Sequence, residues 1–240
     1  MSILKYITIA DCITVLNGLI GFLAIMYVID ELFINALILI LFAVILDGLD
    51  GLLARMTRLK HNFGIFLDAI ADTVSFCFAP AVLIYSIYYD PMETSFTSLV
   101  NLMTVLAAFF VAGFGILRLA RFITKQNNTN YFTGLPTPAM AILIVTLLLP
   151  TFNLFNNPWV VLPIVTLTAI LMISDTHYPT FRGITTIIIG LLVALVILSL
   201  FISFTYYELV HITALALVVS YIFVVPFFVL YWQKNRVDFK

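Results

Sequence analysis

The sequence predicts an all-α protein, a polytopic membrane helical bundle of about eight transmembrane helices with both termini cytoplasmic. Three observations lead there. The chain is 63% hydrophobic and only 10% charged, where a soluble domain carries about 25% charge. Its apolar residues gather into segments long enough to cross a bilayer, separated by short polar turns. All eleven Lys and Arg fall on one side of an eight-span layout, which the positive-inside rule makes the cytoplasmic side.

The spans follow in order. Residues 1–10 are short and mixed, and Lys5 among Ile and Tyr fits either a brief interfacial helix or a frayed terminus. The first span, 12–29, is preceded by Asp11 and carries Thr14 and Asn17. These three polar residues are spaced by three, so they share one stripe. Such a stripe faces protein or a cavity, either lining a site or serving as interhelical glue. After the charged turn Asp30-Glu31, the second span, 33–53, carries Asp47 and Asp50 near its end. A basic link with Arg55, Arg58 and Lys60 leads to the third span, 63–88, which opens with Gly64, Asp68 and Asp72. The fourth span, 96–123, ends in Arg118 and Arg121.

Gly134, Pro136 and Pro138 punctuate the start of the fifth span, 135–152. The sixth covers 159–174 and is followed by a loop with Asp175, His177 and Arg182. The seventh covers 180–204 and the eighth 208–232, before a basic tail. The expected organisation is one integral-membrane domain over 1–240, without a soluble domain, linker or internal repeat.

Composition also excludes. A net charge of -1 gives no basis for a nucleic-acid partner. Cys12 and Cys77 both sit in apolar segments and read as small hydrophobes rather than a disulfide. No Cys/His spacing fits zinc, and the N-terminus lacks the apolar run and small-residue site of a cleaved signal peptide.

The informative stretch runs from Asp47 to Asp72. Asp47 and Asp50 are three apart, Asp68 and Asp72 four apart, so on helices each pair can point one way. An unpaired carboxylate within a membrane costs several kcal/mol. Hard divalent cations with oxygen ligands are the natural partners of four. One or two such cations could clamp a phosphoryl group. Gly51 and Ala54 leave helix surface bare, and Arg55, four residues after Gly51, is placed for a phosphate oxygen. With three aspartates used by metal, the fourth could accept a proton from an attacking hydroxyl. Structural Asp–Arg pairing and an ion-coupled transporter are the competing readings. The first cannot easily use four carboxylates, and the second usually wants acids near the midplane.

The spacing Asp47-x2-Asp50-Gly51-x2-Ala54-Arg55-x8-Gly64-x3-Asp68-x3-Asp72 resembles the full motif of the CDP-alcohol phosphatidyltransferase family. TVLNGLIG in the first span, RLARF at 118–122, YFTGLPTPA at 131–139 and SDTHYPTF at 174–181 resemble its serine-transferring branch. The resemblance covers about residues 10–182. It implies transfer of a phosphatidyl or archaetidyl group from a CDP-lipid donor to L-serine, with release of CMP. It further implies two divalent ions, Mg2+ or Mn2+, on Asp47, Asp50, Asp68 and Asp72, with Asp72 also as base. By the same resemblance Gly51, Ala54 and Arg55 meet the CDP-lipid head and Gly64 packs near the nucleotide. A membrane-lipid environment and a homodimer are implied as well.

At least one of Arg118 and Arg121 is expected to bind donor phosphate or the serine carboxylate. The GLPTP stretch shapes a helix start whose free amides could bind an anion. Ala10-Asp11 stands where the family commonly has Pro-Asn, and His61 where a small hydroxyl residue is common. A different acceptor, glycerol phosphate or inositol phosphate, would want further basic residues. Membrane prenyltransferases also use two aspartate-rich motifs, but far apart in sequence.

Overall fold

The computed structural model describes residues 8–57, 62–92, 99–124, 131–149, 157–179, 190–191, 193–198 and 207–237. Helix α1 spans Ile9–Ile29. Its start is set by a reciprocal box. Thr8 Oγ1 accepts the Asp11 amide at 3.2 Å, while the Asp11 carboxylate accepts the Thr8 amide at 2.7 Å. Helix α2, Phe33–Thr57, lies alongside α1. It buries Ala36, Leu37, Ile40, Leu41, Ala43 and Val44, the stripe expected at helical spacing.

The third predicted span is continuous but not uniform. It comprises α3, Asn62–Asp72, then a π-helical turn, Thr73–Phe78, then α4, Ala79–Tyr88. Pro80 accounts for the widened turn. It has no amide for the carbonyl four residues back, and its ring crowds that carbonyl. The Ala79 amide reaches instead to Val74 O, a five-residue step.

Small residues let α1 cross this span closely. A Cβ on Gly21 would lie 2.5 Å from Ser75 Cα, and one on Gly18 would lie 3.2 Å from Ala71 Cα. Close approach through small residues is how membrane helices gain contact, since lipid is as apolar as the core. Ser75 Oγ donates to Asn17 O at 2.9 Å across the same crossing.

Helix α5, Leu99–Thr124, packs against α4 and α7. Of the predicted fifth span, 135–152, residues 150–152 lie outside the described residues. Helix α6 covers Thr137–Leu148, with extended backbone at Pro136 before it and at Leu149 after it. Pro150 explains the stop, because the residue before a proline avoids the helical region. Nearly every residue of α6 is buried. Helix α7 spans Pro158–Ile173 and the last helix, α8, Tyr207–Val237. Of the predicted seventh span, residues 190–191 and 193–198 are helical and the rest lies outside the described residues.

Among the described residues, four helical stretches are long and apolar enough to cross a membrane: Ile9–Ile29, Phe33–Ala54, Phe63–Tyr88 and Leu99–Thr124. Thr137–Leu148 and Pro158–Ile173 are shorter apolar helices, as is the stretch Val210–Val224 within α8. The protein is an all-α integral membrane protein in its body.

One addition has no counterpart in the sequence reading. Strands β1, Tyr131–Thr133, and β2, His177–Pro179, form an antiparallel ribbon with Phe132 opposite Tyr178. Gly134 follows β1 at φ +82 and donates its amide to Thr176 O at 2.8 Å. A Cβ there would collide with Met172 O, so both backbone conformation and space require glycine.

Tyr178, fully buried, ties the ribbon to α8 by donating its hydroxyl to Ile222 O at 3.1 Å. That carbonyl needs an outside donor because the residue four along is Pro226, which has no amide. Removing the Tyr178 hydroxyl should therefore orphan a buried acceptor and destabilise the protein by about 1–3 kcal/mol. Thermal unfolding of Tyr178→Phe in detergent measures it. The loss should shrink in a Pro226→Ala background, where the helix supplies its own donor.

Candidate active site

The carboxylates come from two helices that run into and out of the 58–61 link. The last turns of α2 carry Asp47 and Asp50, and α3 carries Asp68 and Asp72. Each pair shares a helix face by its spacing, and α1 packs against both helices. Asp47, Asp50 and Asp68 each bring a carboxylate oxygen within 4.8 Å of the other two. Asp50 is buried and the other two are partly buried.

Three anionic oxygens gathered in this way repel one another in a low dielectric. They suit a hard cation with oxygen ligands, magnesium, manganese or calcium in type, and not a soft one. Asp72 falls outside this group of three. It is 5% exposed and lies within electrostatic reach of Asp47, Asp68, Asp50 and Arg118.

The polar stripe of α1 meets these acids directly. Thr14 Oγ1 donates to Asp50 Oδ2 at 2.7 Å. Asn17 Nδ2 approaches Asp72 Oδ1 at 3.5 Å, and Asn17 is fully buried. Asp11 belongs to the helix cap, and its Oδ1 would lie 2.9 Å from a Cβ at Gly64. Gly64 thus lets the start of α3 pass the Asp11 carboxylate closely. Thr14 and Asn17 were visible in the sequence as a stripe, but their partners, 36 and 55 residues away, were not.

Arg118, on α5, is 7% exposed and interacts electrostatically with Asp72, Asp47 and Asp68. Its Nη1 donates to Thr137 Oγ1 at 3.1 Å, at the first residue of α6. Its guanidinium lies 5.7 Å from the Phe122 ring centroid. The one arginine therefore links the acid cluster to the start of α6.

Arg121 goes elsewhere. Its Nη2 donates to Ile173 O at 2.6 Å and its Nη1 to Ser174 O at 3.1 Å, with Asp175 3.5 Å away. A cation on the last carbonyls of a helix is favourable on both hydrogen-bond and dipole grounds. These partners make Arg121 a brace for the end of α7. The exposed Asp175 adds little.

Gly51 and Ala54 lie partly buried on α2 beyond Asp50. The backbone of Arg55 continues α2, while its side chain, with Arg58, Lys60, His61 and Arg182, lies outside the described residues. Thr137, Tyr178 and Tyr221 were missed by sequence reasoning. Tyr221 stands beside Tyr178, with ring centroids 5.6 Å apart, and within electrostatic reach of Arg118.

The family model for CDP-alcohol phosphatidyltransferase matches residues 7–233. The chain is similar to an archaetidylserine synthase of Methanothermobacter thermautotrophicus, 35% identical over 185 residues. That match covers 76% of this chain and 74% of the relative. It is also similar to a CDP-diacylglycerol--serine O-phosphatidyltransferase of Methanocaldococcus jannaschii, 40% identical over 180 residues. Here the coverage is 75% of this chain and 78% of the relative. A protein of the same name from Helicobacter pylori is 34% identical over 168 residues, 68% of each chain.

Proposed function

The chain belongs to the CDP-alcohol phosphatidyltransferase family, and from that membership and the geometry of the acid cluster we propose that it makes a serine phospholipid. It transfers the phosphatidyl or archaetidyl group of a CDP-activated lipid to the hydroxyl of L-serine and releases CMP. The observation that carries this is the convergence of Asp47, Asp50 and Asp68, whose oxygens lie within 4.8 Å of one another. The relatives named for serine transfer supply the acceptor.

Asp47, Asp50 and Asp68 would hold a divalent cation, Mg2+ or Mn2+, with Asp72 completing a second position. When bound, the metal neutralises charge on the phosphoryl oxygens. The residues of the chain do the rest. Serine Oγ attacks the phosphorus that bears the lipid oxygen, its proton passes to the Asp72 carboxylate, and the bond to the CMP oxygen breaks. Arg118, a fixed cation beside the cluster, binds the donor phosphate or the serine carboxylate. Gly51 and Ala54 admit the CDP-lipid head, Arg55 meets its phosphate, and Gly64 packs near the nucleotide. Arg121 serves the site through the α7–β2 turn rather than by touching substrate.

Eight spans, a cytoplasm-facing site in the cell membrane and a homodimer complete this reading. The one-sided placement of all eleven Lys and Arg supports the orientation.

The test is CMP release by the purified protein, with CDP-diacylglycerol or CDP-archaeol, magnesium or manganese, and with or without L-serine. Serine-dependent release is expected, and the better donor identifies the lipid. Release only with glycerol phosphate or inositol phosphate would overturn the acceptor. No release from folded protein with any acceptor would overturn the reaction and favour transport.

A further inference from the structure

The hydroxyl of Thr14 carries one proton and has two acceptors in reach. Ala10 O lies at 3.0 Å and Asp50 Oδ2 at 2.7 Å. The carbonyl already receives a helical amide. The carboxylate is charged and nearer, and charge-assisted bonds are the stronger. The proton therefore goes to Asp50. Thr14 and Asp50 are both buried, at 5% exposure each, so water competes little for the bond. Thr14 is also stiff. Its β-branch restricts χ1, and α1 around it is held by the cap at Thr8 and the close crossing at Gly18 and Gly21.

A rigid donor fixes which way a carboxylate faces. With Oδ2 bonded to Thr14, the tilt of the Asp50 carboxylate relative to Asp47 and Asp68 is set from α1. We propose that Thr14 is a positioning residue for the metal site, a donor on α1 that orients the Asp50 carboxylate before any cation binds. The role rests on the reading of Asp47, Asp50 and Asp68 as metal ligands. It requires no contact between Thr14 and either substrate. The α1 stripe is then a rigid edge against which a ligand from α2 is set, because α1 packs on α2 and α3 together.

The experiment is direct Mn2+ binding to purified, substrate-free protein, followed by the electron paramagnetic resonance of free Mn2+. Thr14→Val keeps the shape and removes the donor, while Thr14→Ser keeps the donor. Losing an outer hydrogen bond to a ligand typically weakens metal affinity about 10–100-fold. That loss is expected for Thr14→Val, with Thr14→Ser close to wild type in both metal affinity and metal-free melting temperature. Thr14→Val should also melt lower without metal, since a buried carboxylate loses its donor. Should Thr14→Val not fold, Thr14→Ala, which occupies less space, carries the same comparison. Wild-type affinity in the donor-less variant overturns the proposal. Equal weakening in Thr14→Ser overturns it too, since packing would then be the cause. Wild-type protein that binds no Mn2+ would overturn the metal reading itself, a result distinct from either.

Discussion

Asp68→Asn is expected to lower serine-dependent CMP release by about a thousandfold, since the metal's charge stabilisation is worth several kcal/mol and each ~1.4 kcal/mol is a factor of ten. The substitution keeps shape and removes one anionic oxygen from the group of three that converges within 4.8 Å. Its effect on stability should run the opposite way. Without metal, the wild-type cluster holds like charges together in a low dielectric, and neutralising one relieves that repulsion. The metal-free variant should melt at or above the wild-type temperature, and Mn2+ should stabilise it less than it stabilises wild type. Melting curves with chelator and with Mn2+, beside the CMP assay, check both halves. Activity within tenfold of wild type would remove Asp68 from the metal site.

Arg118→Gln should have the largest effect on stability. Arg118 is buried and faces Asp72, Asp47 and Asp68. Gln can keep a hydrogen bond to Thr137 but supplies no charge. Removing one partner of a buried charge set costs about 3–5 kcal/mol, because the other charges remain. A divalent cation would neutralise the same acids, so the loss should be largest with chelator and partly recovered with Mn2+. Arg118→Lys should recover part of the loss, since it restores charge without the planar fork that spans two partners. Thermal unfolding with and without metal checks this. An identical loss in both conditions would show that Arg118 acts through packing alone.

Much of the site was legible because its determinants are local. The pairs Asp47/Asp50 and Asp68/Asp72 are each within one helical turn, so periodicity alone aligns them. The third span, read as 63–88, coincides with the helical stretch from Asn62 to Tyr88. What could not be read depends on distant partners. Arg121 looks like Arg118 in sequence, both at a basic helix end. Only the fold shows that Ile173 O and Ser174 O, more than fifty residues on, take its guanidinium. The ribbon of β1 and β2 joins two three-residue strands from opposite sides of α6 and α7, too short for any alternation to register. Within the fifth span read as 135–152, the helix ends at Leu148, where the apolar run LLLPTF gave no stop but Pro150 disfavours helix at Leu149. Residues 150–152 lie outside the described residues.

The brevity of α6 has a consequence for where two immiscible reactants can meet. Twelve residues make a helix about 18 Å long, some 12 Å short of a ~30 Å hydrocarbon layer. Non-helical backbone at membrane depth is tolerated only inside protein or beside a wet cavity. The ribbon and Gly134 satisfy their own backbone groups through strand pairing and the bond to Thr176 O. Arg118 touches the Thr137 end, and the carboxylates lie next to Arg118. Were α6 to cross the bilayer with its shortfall at that end, the aqueous boundary would sink toward the acids. A polar amino acid could then reach them from solution, while a lipid arrives sideways through the bilayer without leaving it.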